Sequence, residues 1–129
     1  MAAELIETPE VSSAGGRPYS PALKVGRWVI VSGQVPIDRD GETVGLGDPA
    51  AQWRQCLDNI QNLLQAAGAS MGDVVLLDLF VTDMRHYLNH GEIRKEYFQE
   101  PYPASTVVAV NSLAHEDWII EISAQAYIG

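Results

Sequence analysis

A single cysteine, Cys56, in 129 residues leaves no partner for an internal disulfide and too few thiolates for a cysteine-based zinc site. Basic residues are also scarce: eight Lys and Arg stand against 17 Asp and Glu, a formal net charge of −9. Such a surface repels phosphate backbones, so nucleic acid is not an expected partner, and small anions are held off except where a local site attracts them. Apolar runs are only a few residues long, so no segment is expected to span a membrane. The amino-terminal stretch MAAELIETPE carries Glu4, Glu7 and Glu10 and no basic cluster, unlike a secretory or transit peptide. Together with the lone thiol, this makes a cytoplasmic protein the expectation. Neither a glycine-rich phosphate loop nor a nucleophile elbow occurs. Repeats, low-complexity tracts and linkers are missing too, so residues 1–129 read as one domain.

What is present is a run of well-punctuated elements. Ser12 to Pro18, SSAGGRP, reads as a loop. ALKVGRWVIVSG reads as two strands turning at Gly26, followed by the polar loop PIDRDGE. Asp48 is a good N-cap and Pro49 suits the first helical position. Trp53, Cys56, Leu57, Ile60, Leu63, Leu64 and Ala67 then recur at helical spacing up to Gly68, so a helix is predicted over about 49–67. A strand follows within Asp73 to Thr82. A second helix is predicted over about Met84 to Phe98, with Gly91 in its middle weakening it. Strands are predicted at Thr106 to Val110 and Trp118 to Ile128. This order gives an α+β fold, one mixed sheet with two helices on one face. Several strands are apolar on both faces, and no spare segment is large enough to cover the second face. Self-association is the expected cover.

Few side chains suggest chemistry. His86 and His90, four apart, could present two imidazoles to one metal, but no third ligand and no zincin glutamate accompany them; solvated histidines are the plainer reading. His115 sits in a polar turn and reads as solvated. Cys56 lies on the apolar helix face and reads as a structural thiol. Glu121 interrupts the apolar strand WIIEIS. Alternation sets it with Ile119, Ser123, Gln125 and Tyr127, opposite Ile120 and Ile122. A solvated sheet face and a partly buried cleft both satisfy that pattern; in a cleft the carboxylate could orient or deprotonate water. Gly33, in SGQ, is either a turn residue or a point of close ligand approach. Tyr19 is either a surface tyrosine or a phenol at a cleft mouth.

The segments RPYSPALKVG, VSGQVPID, AAQWRQCLDNIQNLLQAAGASMGDVV, FVTDM, PYPAST and IIEISA occur in an order and spacing that resembles the Rid family, the YjgF-type reactive-intermediate deaminases. The likeness covers nearly everything from Gly16 to the C-terminus. It implies a chorismate-mutase-like α+β fold in a homotrimer, with a ligand cleft at each subunit interface. It also implies hydrolysis of enamines and imines, such as 2-aminoacrylate, to a 2-oxo acid and ammonia, without metal or organic cofactor. Tyr19, Ser32, Gly33, Thr106 and Glu121 match the family's cleft residues, and Glu121 matches the glutamate that positions the attacking water.

PAST departs from the archetype, which has arginine where Ser105 stands, to grip the substrate carboxylate in a two-pronged contact. The archetype's asparagine in the second helix falls on Gly91. Ser105 is smaller and neutral, so it leaves room for a larger ligand and offers a hydroxyl. Arg17 and Arg94 are the candidate replacement cations. The expected function is therefore an imine or enamine deaminase whose substrate is not 2-aminoacrylate, with an aminomuconate-type amino-diene acid as one possibility. The alternative is a non-catalytic trimer that binds a small metabolite or a protein client. Ribonuclease activity fits the acidic balance poorly.

Overall fold

The computed structural model describes residues 2–13 and 15–129; Met1, and Ala14 of the expected Ser12–Pro18 loop, lie outside the described residues. Six strands form one sheet in the order β1-β2-β3-β6-β4-β5: β1 (Glu4–Ile6), β2 (Ala22–Val25), β3 (Trp28–Gln34), β4 (Val74–Val81), β5 (Ala104–Ala109) and β6 (Ile120–Tyr127). All neighbours are antiparallel except β4 and β5, which run parallel through the helical crossover between them. The α+β reading holds. β1 was not expected from the sequence: three residues with a leading glutamate carry little strand signal, and β1 exists through its pairing with β2.

Helix α1 (Pro49–Ala66) starts where its cap predicts, with the Ala51 N–H donating to Asp48 Oδ1 at 3.1 Å. Its apolar stripe packs on the inward side of β3, β4 and β6, burying Trp53, Leu57, Ile60 and Leu64 against Val29, Val31, Leu79, Ile120 and Ile122. Cys56 is fully buried there, and its thiol donates to the Ile120 carbonyl at 3.7 Å. Burial pushes that thiol well up, and the nearby Glu121 charge adds to the shift. It is a poor nucleophile, and the native protein is expected to resist alkylation by iodoacetamide until denaturant is added.

Two polar residues on the same helix face are also buried, and they tie down loops. Gln52 donates from Nε2 to the carbonyls of Gly45, at 3.1 Å, and Asp117, at 2.8 Å, while its Oε1 accepts from the Ile119 N–H at 2.9 Å. Asn59 donates to the carbonyls of Val35 and Ile37. The Gly45 carbonyl keeps a second donor in the Asp48 N–H, so Gln52→Leu would leave two backbone groups, the Asp117 carbonyl and the Ile119 N–H, without partners, and a loss of about 2–3 kcal/mol in urea unfolding is expected.

The expected second helix, Met84 to Phe98, does not form as one. It breaks into α2 (Arg85–Leu88) and a 3-10 segment, Gly91–Glu96. Gly91 lies at the break, where its high backbone entropy disfavours continuation. The break also turns the following residues toward β5, with consequences for the site. The segment packs on α1's side of the sheet: Arg54 pairs with Glu96 through two contacts of 2.9 and 2.8 Å, and the Tyr97 hydroxyl donates to Asp58.

The other sheet face is open. Trp28 (42% exposed), Ile30 (44%), Val108 (42%) and Tyr127 (40%) stand on it. Cross-strand pairing puts Phe80 between Glu121 and Val108, and Asp78 between Ser123 and Thr106, on that same face.

Candidate functional site

β3 and β6 meet in a ladder that loses register between Val31 and Gln34. The irregularity falls on Ser32 and Gly33. Ser32 is fixed from outside the strand: its Oγ donates to the Ser20 carbonyl at 2.6 Å, and its N–H donates to the Pro21 carbonyl. This holds the loop bearing Tyr19 against β3. Gly33 is needed for space. A Cβ there would collide with Glu121 Oε2 and lie 2.9 Å from its carboxyl carbon. The Glu121 side chain therefore lies flat across β3, where only glycine leaves it room.

Above this carboxylate opens a cleft of about 730 Å³. Tyr19, Ser32, Gly33 and Glu121 all line it, as do Arg17, His115 and Trp118. The imidazole of His115 stacks on Trp118, with ring centroids 5.4 Å apart, and its Nδ1 accepts from the Asp117 N–H. His115 thus lines the cleft while remaining exposed, as its polar turn suggests. The missing signal was Gln52, whose bonds to residues 117 and 119 pull this turn onto the cleft. Glu121 itself is half-buried. Among the described residues no hydrogen bond or ion pair reaches its carboxylate, and desolvation raises its pKa above the ordinary glutamate value. A carboxylate in that condition is a better base than an exposed one.

Ser105 and Thr106 are elsewhere, and they part from each other. Strand β5 begins at Ala104, two residues earlier than expected, so the two alternate across the sheet. Thr106 faces the open side beside Asp78. Ser105 faces the helical side, in a separate cleft of about 260 Å³ between β5 and the 3-10 segment. The room expected beside Ser105 is partly filled. Arg94 reaches back to it, donating from Nη1 to Ser105 Oγ at 3.1 Å. Of the two candidate cations, Arg17 lines the Glu121 cleft and Arg94 the Ser105 cleft. Among the described residues no lining residue is common to both clefts.

His86 and His90 join neither cleft. Among the described residues no three His, Cys, Asp or Glu side chains group closely enough to hold a metal ion, and no helix is long and apolar enough to cross a membrane.

Comparison with known proteins covers nearly the whole chain. Residues 10–128 match the family described as Endoribonuclease L-PSP. A RutC family protein of Pyrococcus abyssi is 39% identical over 127 residues, spanning 98% of both chains. The 3-aminoacrylate deaminase RutC of Acinetobacter baylyi is 38% identical over 120 residues, which is 93% of this chain and 94% of its own. A solved structure from the Rid protein family of Yersinia pestis superposes with a TM-score of 0.91 at 33% identity, covering 98% of this chain and 100% of that one.

Proposed function

Because the chain belongs to the Endoribonuclease L-PSP family, which takes in the RutC and Rid proteins, we propose that it is a deaminase hydrolysing the carbon–nitrogen bond of a small reactive imine or its enamine tautomer. One observation carries this reading: the half-buried, unpartnered Glu121 carboxylate laid over Gly33 at the floor of a cleft. A desolvated carboxylate without a partner costs stability, and a water-activating role gives it a use.

The chemistry needs no more than a positioned base. Water beside Glu121 adds through its oxygen to the imine carbon and passes a proton to the carboxylate. That proton is delivered to nitrogen, giving a carbinolamine. Glu121 then takes the hydroxyl proton and returns it to nitrogen, so that the carbonyl forms as the C–N bond breaks and ammonia leaves. Tyr19 and Ser32 bound the space in which the polar ends of the substrate must sit. The relative from Acinetobacter baylyi is named for an enamine acid, 3-aminoacrylate, which supports an acidic substrate here. The altered surroundings of Ser105 favour one other than 2-aminoacrylate, an amino-diene acid of the aminomuconate type included. The word endoribonuclease in the family's description suits this chain less well, given eight basic residues against 17 acidic ones.

The same proposal includes a homotrimer. The open face bearing Trp28, Ile30, Val108 and Tyr127 needs a cover, and a neighbouring chain would bring its own Ser105 and Thr106 strand toward the Glu121 cleft. Light scattering at micromolar concentration is expected to give the mass of three chains; a well-folded monomer would defeat the shared cleft.

Turnover is tested with imines generated in situ by an amino-acid oxidase, together with 3-aminoacrylate, following ammonia release. Hydrolysis above the buffer rate is expected for at least one acidic substrate. The kcat/KM profile should fall on its acid side at a pH above the ordinary glutamate range, since desolvation raises Glu121 and only the ionised form takes a proton from water. Rates equal to buffer across the panel would leave a metabolite-binding trimer as the function.

A further inference from the structure

We propose that Arg94 is a carboxylate-binding residue, held in the cleft between β5 and the 3-10 segment by Ser105, Tyr87 and Gly91, and that its ligand is a small, flat, largely apolar carboxylic acid. The inference rests on the proposed function only for the reaction its ligand undergoes; the binding itself stands on the geometry of this cleft.

The guanidinium is fixed on three sides by neutral groups. Nε donates to the Gly91 carbonyl at 2.9 Å, Nη1 to Ser105 Oγ at 3.1 Å and Nη2 to the Tyr87 hydroxyl at 3.1 Å. Its Cζ also lies 5.0 Å from the centre of the Tyr87 ring, within reach of the ring's negative face. Tyr87 is in turn packed against Trp53, with ring centroids 6.3 Å apart. None of these partners carries a negative charge. Glu92, the acid lining the cleft, is paired with Lys95 at 2.6 Å. Among the described residues Arg94 forms no ion pair. An arginine has five N–H donors; three are spent, which leaves one on each Nη. A carboxylate can take one donor from each Nη in a two-pronged contact.

The space in front of the guanidinium fits such a ligand. Leu77, Phe98, Tyr102 and Pro103 supply apolar walls around a volume of about 260 Å³. Gly91 is part of the device, because a Cβ there would stand 3.3 Å from Arg94 Nη2 and press on the group. Ser105 is another part: a larger side chain at that strand position would occupy the place Arg94 fills. The serine, the glycine and the arginine are therefore one arrangement, with the charge delivered from the 3-10 segment to the strand. Among the described residues this cleft and the Glu121 cleft share no lining residue, and Ser105 and Glu121 stand on opposite faces of the sheet with β4 between their strands, so in the proposed trimer one substrate would be served by the clefts of two chains.

Crotonate, a flat unsaturated acid that cannot be deaminated, is the probe, with crotonamide as its uncharged match. Titration followed by NMR is expected to show saturable crotonate binding to the wild type, and crotonamide binding weaker by roughly 10-fold or more. Arg94→Gln should lose crotonate affinity by a similar factor while its thermal unfolding stays cooperative. Arg94→Lys, which keeps charge but not the fork, should fall between them. Glu121→Gln should bind crotonate as the wild type does, so that binding and turnover fail separately. Equal affinity of Arg94→Gln and wild type would overturn the proposal and leave Arg94 as a bracket between β5 and the 3-10 segment. So would a loss of thermal stability in Arg94→Gln with crotonate affinity unchanged in the protein that remains folded.

Discussion

Glu121→Gln is expected to lose about 10²–10⁴-fold in kcat on any imine the wild type hydrolyses, the range typical of a removed general base. Glutamine keeps the size and the planar end of the side chain, so the bed over Gly33 is still filled and no cavity opens. Stability should not fall with activity. Desolvation raises the folded-state pKa of Glu121. The folded protein therefore holds that proton to higher pH than the unfolded chain does, and the ionised form weakens the fold as pH rises through the folded pKa. At neutral pH the neutral amide removes this penalty, so Tm should stay level or rise. The pairing of lost turnover with undiminished Tm separates a base from a structural acid. Undiminished kcat would remove Glu121 from the chemistry, and a large fall in Tm would make it a structural residue.

Trp53→Ala carries the largest expected effect on stability, a loss of about 3–5 kcal/mol from a total that for most domains is about 5–15 kcal/mol. The indole is fully buried in the core and its Nε1 donates to the His86 carbonyl at 2.9 Å. Removing it opens a cavity under α2 and frees one part-buried carbonyl. The damage should also travel: Tyr87 loses the ring it leans on, and Tyr87 accepts a hydrogen bond from Arg94. Urea unfolding gives the stability, and the crotonate titration on the folded fraction gives the second effect. Trp53→Phe keeps most of the packing and should cost much less. A loss under about 1 kcal/mol for Trp53→Ala would mean that the core closes over the gap.

The sequence revealed the parts of the fold that rest on local rules. α1 has a cap, a proline at its start and an unbroken apolar stripe, and it forms within a residue of the expected span. The alternation in β6 placed Glu121 opposite the buried Ile120 and Ile122, as observed. Where nonlocal contacts decide, the reading strayed. β1 is held by pairing alone. The segment from Met84 to Phe98 has helical composition, but the backbone breaks near Gly91 and sends Arg94 to β5. That contact lies 11 residues away along the chain, and no pattern of spacing announces it. The resemblance pointed to a missing arginine at position 105 and to Arg94 among the candidates, but only the three-dimensional arrangement joins the two residues. Ser105→Arg, which would restore an arginine to the strand, now sets one guanidinium against another, and it should weaken crotonate binding in the same titration.

The disjoint linings of the two clefts predict how damaged chains would behave together. In the proposed trimer each interface draws Glu121 from one chain and Arg94 from its neighbour. Glu121→Gln and Arg94→Gln proteins are then each crippled alone but intact in complementary halves. Co-folded in equal amounts, they would assemble about a quarter of their interfaces from two undamaged halves, and activity should return to about that fraction of the wild type. If each chain instead worked alone, the mixture would do no better than the average of its parents. On this proposal the separation of base and cation within one subunit would make assembly a condition of catalysis: dilution below the trimer's dissociation concentration should extinguish turnover even while every chain remains folded.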